Sequence, residues 1–202
     1  MQKTIKRMID ICLSGLGLVI ASPVFFVIAL IIKFTSPGPV FFIRNRVGKD
    51  GRVFRMYKFR TMTDARDSQG MFLPDADRLT RLGGFLRSFS IDELPELFNV
   101  IKGEMSLVGP RPLLVDYLPR YSPEQMRRHE VLPGLTGWAQ INGRNAVSGE
   151  QKFKLDVWYV DNCSLRLDIR ILLMTIHRVL KKEGISQTGQ ATMEEFKKSI
   201  GR

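Results

Sequence analysis

From Ile11 to Ile32 the chain carries no charged residue, and an apolar run of about 20 residues is what a bilayer-spanning helix requires. No other feature constrains the fold as strongly. A chain of 202 residues has room for one sizeable core, so a single domain with this appendage is expected rather than two independent domains. The basic start, Lys3, Lys6 and Arg7, suits a signal anchor. A cleaved signal peptide fits less well, because the apolar stretch is too long and has no small-x-small exit site before Lys33.

Two features count against a straight span. Ser22-Pro23 stands at the midpoint, where Pro23 removes a backbone donor and clashes with the carbonyl of Val19, so a break or bend is expected there. Each half, Ile11 to Ala21 and Val24 to Ile32, is then about 14–16 Å long, roughly half the hydrocarbon thickness. Lys and Arg flanking a membrane segment are retained on the cytoplasmic side. Here Lys3, Lys6 and Arg7 precede it, and Lys33, Arg44, Arg46, Lys49, Arg52 and Arg55 follow it. A segment that dips into one leaflet and returns satisfies both flanks; a kinked span satisfies one. The residues alone leave both readings open.

A net charge of +11 suits anionic headgroups, phosphorylated substrates or nucleic acid, and does not choose among them. Cys12 and Cys163 form neither a disulfide framework nor a metal-ligand cluster, which points to a reducing, cytosol-facing location.

After the breaker cluster Ser36-Pro37-Gly38-Pro39, Val40 to Ile43 and Val53 to Phe59 read as strands of a hairpin around Asp50-Gly51. Lys58 and Arg60 fall on one face of the second strand by the two-residue period. Asp64 to Asp77 reads as a loop. Helices are expected from Ser90 towards Lys102, closed by Gly103; from Ser122, with Pro123 and Gln125 completing a capping box; and from Leu165 to Glu183. The apolar residues of the last helix cover more than one stripe, so one face suits the core and another lipid. The expected fold is a compact, helix-rich α+β domain with a small hairpin.

Asp92-Glu93 at the start of a predicted helix has a bland reading as part of a capping box with Ser90, although Pro95 complicates that register. In the functional reading, one carboxylate attacks phosphorus while its neighbour holds a divalent ion or assists activation. Arg87 lies about one turn before the acids. Arg111 stands in Gly109-Pro110-Arg111-Pro112, where the flanking prolines restrict the backbone and present a guanidinium suited to bidentate phosphate recognition. Arg144, after Asn142-Gly143, adds another cation. Trp138 suits stacking on a base or simple packing, and His177 suits packing. No Walker loop, dinucleotide fingerprint, zinc spacing or Cys/His nucleophile arrangement is present.

Together Lys58-Phe59-Arg60-Thr61-Met62, Ser90-Ile91-Asp92-Glu93-Leu94-Pro95-Glu96-Leu97-Phe98-Asn99-Val100, Gly103-Glu104-Met105-Ser106-Leu107-Val108-Gly109-Pro110-Arg111-Pro112, Pro133-Gly134-Leu135-Thr136-Gly137-Trp138-Ala139-Gln140 and Asn142-Gly143-Arg144-Asn145 resemble the bacterial sugar transferase family, the monotopic phosphoglycosyl transferases. The resemblance runs from the apolar segment to about Ser186, in the short form with only the catalytic domain. It implies a re-entrant helix over residues 1–35 broken at Ser22-Pro23, a cytoplasmic catalytic domain over 36–186 and a tail over 187–202. It further implies transfer of sugar-1-phosphate from a UDP-sugar to polyprenyl (undecaprenyl) phosphate at the inner leaflet of a bacterial inner membrane, release of UMP and use of Mg²⁺. By that resemblance Asp92 and Glu93 are catalytic and metal-binding, and Lys58, Arg60, Arg87, Arg111 and Arg144 bind substrate phosphates. Both termini are then cytoplasmic, nucleic acid is not a partner, and downstream glycosyltransferases are. UDP-diacetamido-trideoxy sugars are frequent substrates among relatives of this length, but the residues leave the sugar open. The competing class is a membrane-anchored basic protein that binds nucleic acid or acidic lipid without catalysis, which leaves the Asp-Glu pair and the Pro-Arg-Pro turn unexplained.

Overall fold

The computed structural model describes residues 2–142 and 149–181; Arg144 and the tail over 187–202 lie outside them. Residues Gln2–Thr35 form one helix, α1, with Pro23 inside it. The helix therefore continues through Ser22-Pro23, where the sequence suggests a break. Pro23 has no N–H to offer the carbonyl of Val19 four residues back. Ser22 Oγ donates to that carbonyl at 2.8 Å instead, the kind of repair that keeps a proline tolerable in apolar surroundings.

One face of α1 packs against the rest of the chain along most of its length. Asp10, Ser14, Ile28 and Ile32 are buried, Leu18 packs on the main core, and the Phe25 ring meets Phe59 edge-on at 5.0 Å. Spacings of three and four residues gather these positions into one stripe. The opposite face exposes Leu16, Val19, Ile20, Phe26, Val27 and Phe34. Only 11% of the most apolar stretch is buried, and the helix is long and apolar enough to cross a membrane. That surface fits the chain to a membrane.

Strands β1 (Phe41–Val47) and β2 (Val53–Phe59) form the expected antiparallel hairpin, with Phe41 opposite Phe59 and Val47 opposite Val53. The turn needs left-handed backbone at Asp50 (φ 54°) and Gly51 (φ 73°), which Asp and Gly supply at low strain. Short helices α2 (Asp75–Arg78) and α3 (Arg81–Ser88) follow, then a 3₁₀ turn at Ile91–Glu93 and α4 (Glu96–Lys102). Strands β3 (Ser106–Val108) and β4 (Gly134–Thr136) pair in parallel, Ser106 with Gly134 and Val108 with Thr136. Helix α5 (Pro123–Met126) carries the capping box read from the sequence, and α6 (Trp138–Asn142), α7 (Gly149–Asn162) and α8 (Leu165–Leu180) complete the described chain.

The main core joins β2, α4, β3, α7 and α8 through Met56, Leu97, Val100, Val108, Tyr159 and Ile171; a second joins α1, β2 and α3 through Ile28, Ile32, Phe59 and Leu86. Trp138 packs against the main core and stacks on Trp158 at 4.7 Å. On α8, Ile169, Leu173 and Ile176 stay exposed, the second apolar face expected for this helix.

The β3–β4 pairing carries the Pro-Arg-Pro turn and depends on glycine. A Cβ on Gly134 would stand 2.0 Å from the Gly109 nitrogen, and one on Gly109 would stand 2.3 Å from the Leu132 carbonyl oxygen. Gly134→Ala must push β3 and β4 apart, and we expect a loss of about 3 kcal/mol of stability together with impaired activity. Thermal unfolding in detergent checks this; an unchanged midpoint would show that the two strands separate freely.

Candidate active site

Asp92 projects from the 3₁₀ turn at Ile91–Glu93, not from an α-helical first turn. Ser90, expected to cap that helix, adopts left-handed backbone (φ 56°, ψ 22°), and its side chain caps nothing. Pro95 explains the tighter turn: with no N–H at position 95, the Ile91 carbonyl accepts from Leu94 N at 3.2 Å. Left-handed backbone at a non-glycine residue is uncommon and concentrates at functional sites. Here it lies two residues before Asp92, which is buried.

Glu93 faces two cations brought from other parts of the chain. Lys58 Nζ, on β2, lies 2.5 Å from Glu93 Oε1 and 3.2 Å from Glu96 Oε1. Arg111 donates through Nη2 to Glu93 Oε1 and through Nη1 to Oε2 at 3.4 Å, a two-pronged grip that a lysine cannot make. Burial pushes the Glu93 carboxyl up, but Arg111 and Lys58 outweigh it and hold the group well below the usual carboxylate range. Glu93 in turn raises the Arg111 guanidinium.

Asp92 is placed differently. Among the described residues it forms no hydrogen bond or ion pair, though Lys58, Arg87 and Arg111 all act on it electrostatically. Burial, with Glu93 beside it, raises its pKa despite those cations. An uncommitted carboxylate thus stands in a cationic basin, stripped of the water and donors that would dull it as a nucleophile.

The site assembles five of the residues singled out in the sequence: Asp92, Glu93, Lys58, Arg87 and Arg111. Arg87 Nε donates to Thr61 Oγ1 at 3.1 Å, which fixes α3 against the end of β2. Arg60 is engaged elsewhere. It lies past the end of β2 and donates to the carbonyls of Met62 (2.9 Å) and Pro37 (2.7 Å) and to Asp64 Oδ2 (2.5 Å), so it pins the loop that follows α1. Behind Arg111, buried Arg128 donates to the Arg111 carbonyl oxygen at 2.7 Å and to Asp156 Oδ2 at 2.7 and 3.1 Å.

Glu96 is a site residue that sequence reasoning missed, although its three-residue spacing from Glu93 is a usable signal. It is almost fully buried, and burial and Glu93 push its carboxyl up to about 7 against the pull of Lys58. The folded protein then holds this proton more tightly than the unfolded chain, whose value lies near 4.5. Stability is therefore greatest below that pH and falls as pH rises towards 7. We expect this group alone to remove ~3 kcal/mol between pH 4.5 and 8, and Glu96→Gln to remove most of that slope. Parallel slopes in denaturant unfolding of the two proteins would contradict the assignment.

Among the described residues no group of three or more His, Cys, Asp or Glu is arranged to hold a metal ion. Mg²⁺ is commonly bound through one or two carboxylates plus substrate phosphate oxygens, and Asp92 fits that role because its oxygens are uncommitted. Both Glu93 oxygens are already engaged by Arg111 and Lys58.

Fold and site combine an exposed apolar helix with a buried acid pair set among the cations Lys58, Arg87 and Arg111, as in a membrane-associated transferase. The sequence profile described as bacterial sugar transferase matches residues 1–182, and the chain belongs to that family. It is 55% identical over 192 residues to the uncharacterized sugar transferase EpsL of Bacillus subtilis (strain 168), covering 95% of both chains. It is 45% identical to the UDP-N-acetylgalactosamine-undecaprenyl-phosphate N-acetylgalactosaminephosphotransferase of Aeromonas hydrophila, over 87% of this chain and 44% of that one. It is 42% identical to the UDP-glucose:undecaprenyl-phosphate glucose-1-phosphate transferase of Xanthomonas campestris pv. campestris, over 87% and 38%. The chain thus spans less than half the length of these last two relatives.

Proposed function

We propose that the protein transfers a sugar-1-phosphate from a UDP-sugar to undecaprenyl phosphate, releasing UMP, by way of a covalent phosphosugar on Asp92. The observation that carries this reading is the division of labour between the two acids. Glu93 is held ionised between Arg111 and Lys58, whereas Asp92 is buried without a partner among the described residues and feels the same cations. In the first displacement an Asp92 oxygen attacks the phosphorus that bears the sugar. The bond to UMP breaks, and UMP leaves with the electron pair. In the second, an oxygen of the lipid phosphate attacks the same phosphorus and the carboxylate is regenerated. Glu93 orients Arg111 and Lys58 towards the diphosphate, whose charge would otherwise repel the attacking carboxylate. Asp92 would hold Mg²⁺, which would supply further neutralisation of that charge.

The membrane helix is read as re-entrant, bent at Pro23 without a break in the helix, with both ends cytoplasmic. Its first turns reach β3 and α4 through Asp10 and Arg7, and its last turns, Ile28 and Ile32, pack with β2 and α3. A helix crossing ~30 Å of hydrocarbon would carry one of these ends to the wrong side. Lys3→Cys in intact cells is expected to resist a membrane-impermeant thiol reagent, and labelling from outside would contradict re-entry.

The decisive assay supplies UDP-sugar and undecaprenyl phosphate and identifies the nucleotide product. UMP, with ping-pong kinetics, is expected; UDP would mean a glycosyltransferase of another kind. The sugar itself, for which UDP-diacetamido-trideoxyhexose is our candidate, is found by comparing UDP-sugars in that assay.

A further inference from the structure

We infer that Arg46 and Lys152 form, around Arg111, a second anion site occupied by a substrate phosphate; the inference rests on the reaction proposed above. Arg46 lies on β1, whose end is stitched to the segment after the Pro-Arg-Pro turn. Arg46 bridges Leu114, and Val47 N donates to the Leu113 carbonyl at 3.2 Å. That pairing brings the Arg46 side chain to the Arg111 side of the domain. Lys152 approaches from α7, one turn before Asp156, the acid that holds Arg128.

Among the described residues no acid is bonded to Arg46. It makes no ion pair and no side-chain hydrogen bond with any of them, and its Nε is buried with no acceptor. Its nearest charges include Arg111 and Arg44, which repel it, while Glu96 attracts it. Lys152, half-buried, likewise makes no hydrogen bond or ion pair among the described residues; burial and Arg111 disfavour its charge, and Asp156, one turn along α7, partly offsets them. Elsewhere the chain pairs its buried cations: Arg128 with Asp156, Lys58 with Glu93 and Glu96, and Arg60 with Asp64. A partly buried guanidinium left unsatisfied beside two other cations is unfavourable in the empty protein. It becomes favourable once a multiply charged anion enters, since a phosphate accepts from a fork of N–H donors at each face.

Two phosphates visit this site: the one that departs as UMP and the one carried by the polyprenyl acceptor. The two half-reactions separate them. In the first, UDP-sugar is given without lipid, and UMP release and protein labelling are followed. In the second, labelled protein is given undecaprenyl phosphate. Arg46→Gln is expected to raise the KM of one half-reaction about 10- to 100-fold with a smaller change in kcat. Arg46→Lys should recover part of the loss and Arg46→Met none. A raised KM for UDP-sugar assigns the nucleotide phosphate, and a raised KM for undecaprenyl phosphate assigns the lipid phosphate. Unchanged KM values in both halves overturn the inference, as does a fall in kcat alone.

A binding readout keeps the inference distinct from the reaction. Pyrophosphate should raise the unfolding midpoint of the wild-type protein and raise it less in Arg46→Gln and Lys152→Gln. The empty variants should unfold no earlier than wild type, because a repelled charge has been removed. Equal pyrophosphate shifts in all three proteins, or early unfolding of the empty variants, would overturn the site even if UMP release is confirmed. Absence of UMP release from the wild-type protein would defeat the reaction while leaving the pyrophosphate comparison valid.

Discussion

Asp92→Asn is expected to reduce transfer by about 10⁴-fold or more and to abolish labelling of the protein by UDP-sugar. The amide has the shape of the carboxylate but not its nucleophilic oxygen. Because Asp92 has no hydrogen-bond partner among the described residues and burial disfavours its charge, the substitution should leave the unfolding midpoint unchanged or higher. Loss of activity without loss of stability separates a nucleophile from a structural acid. The raised pKa adds a signature in the wild-type protein. The reactive form is the anion, so the acid limb of the first half-reaction should lie above the ordinary carboxylate range, with activity climbing as pH rises through it. Substantial transfer by Asp92→Asn free of wild-type enzyme, or initial rates that require both substrates bound together, would remove Asp92 from this role.

Arg128→Met carries the second large effect, and it acts on stability first. Arg128 and Asp156 are 2% and 4% exposed, and removing one partner strands the other's charge, which costs about 3–5 kcal/mol. Burial already raises the Asp156 carboxyl against the pull of Arg128, so the stranded acid should take up a proton readily. The destabilisation is then smaller at low pH. The double variant Arg128→Met/Asp156→Leu should recover much of the stability. It should remain slow in catalysis, because the hydrogen bond to the Arg111 carbonyl oxygen is still missing and the turn that presents Arg111 is loosened. Denaturant unfolding at pH 5 and pH 8 with parallel activity assays tests both claims. A single variant as stable as wild type would show that the pair is dispensable to the fold.

What the sequence revealed, and what it hid, follows from how local each signal is. The hairpin was legible because its turn depends on two adjacent residues, Asp50 and Gly51, and α5 because Ser122 and Gln125 bond each other. The helix expected from Ser90 illustrates a pattern that fits and still misleads. Ser90 and Glu93 have capping-box spacing, but Pro95 withholds the donor that an α-helical turn needs, and the chain makes a 3₁₀ turn instead. Helix α3 went unread because Gly83-Gly84 weakens its propensity; Gly83 is there because a Cβ would stand 2.0 Å from the Thr61 carbonyl oxygen, a contact made in space and not in sequence. Parity along β2 put Lys58 and Arg60 together, yet the strand ends at Phe59 and the parity ends with it. The acid pair and the Pro-Arg-Pro turn were recognisable as motifs. Their meeting at Glu93, across 18 residues, and the Arg128–Asp156 brace, across 28, have no local trace.

The first helix also bears on how the protein is made. Arg7 donates to the carbonyls of Val100 and Ile101 at the end of α4, Asp10 accepts from Leu107 N, and Lys6 reaches Asp168 across 162 residues. These groups precede their partners by 93 to 162 residues. The polar face of the helix is therefore matched in stages, by α4 and β3 first and completely only when α8 has been made. A shortened chain without the first 35 residues is not a soluble enzyme relieved of its anchor. It lacks the caps of α4 and the partners of Leu107 and Asp168, so anchor and catalyst are one cooperative folding unit.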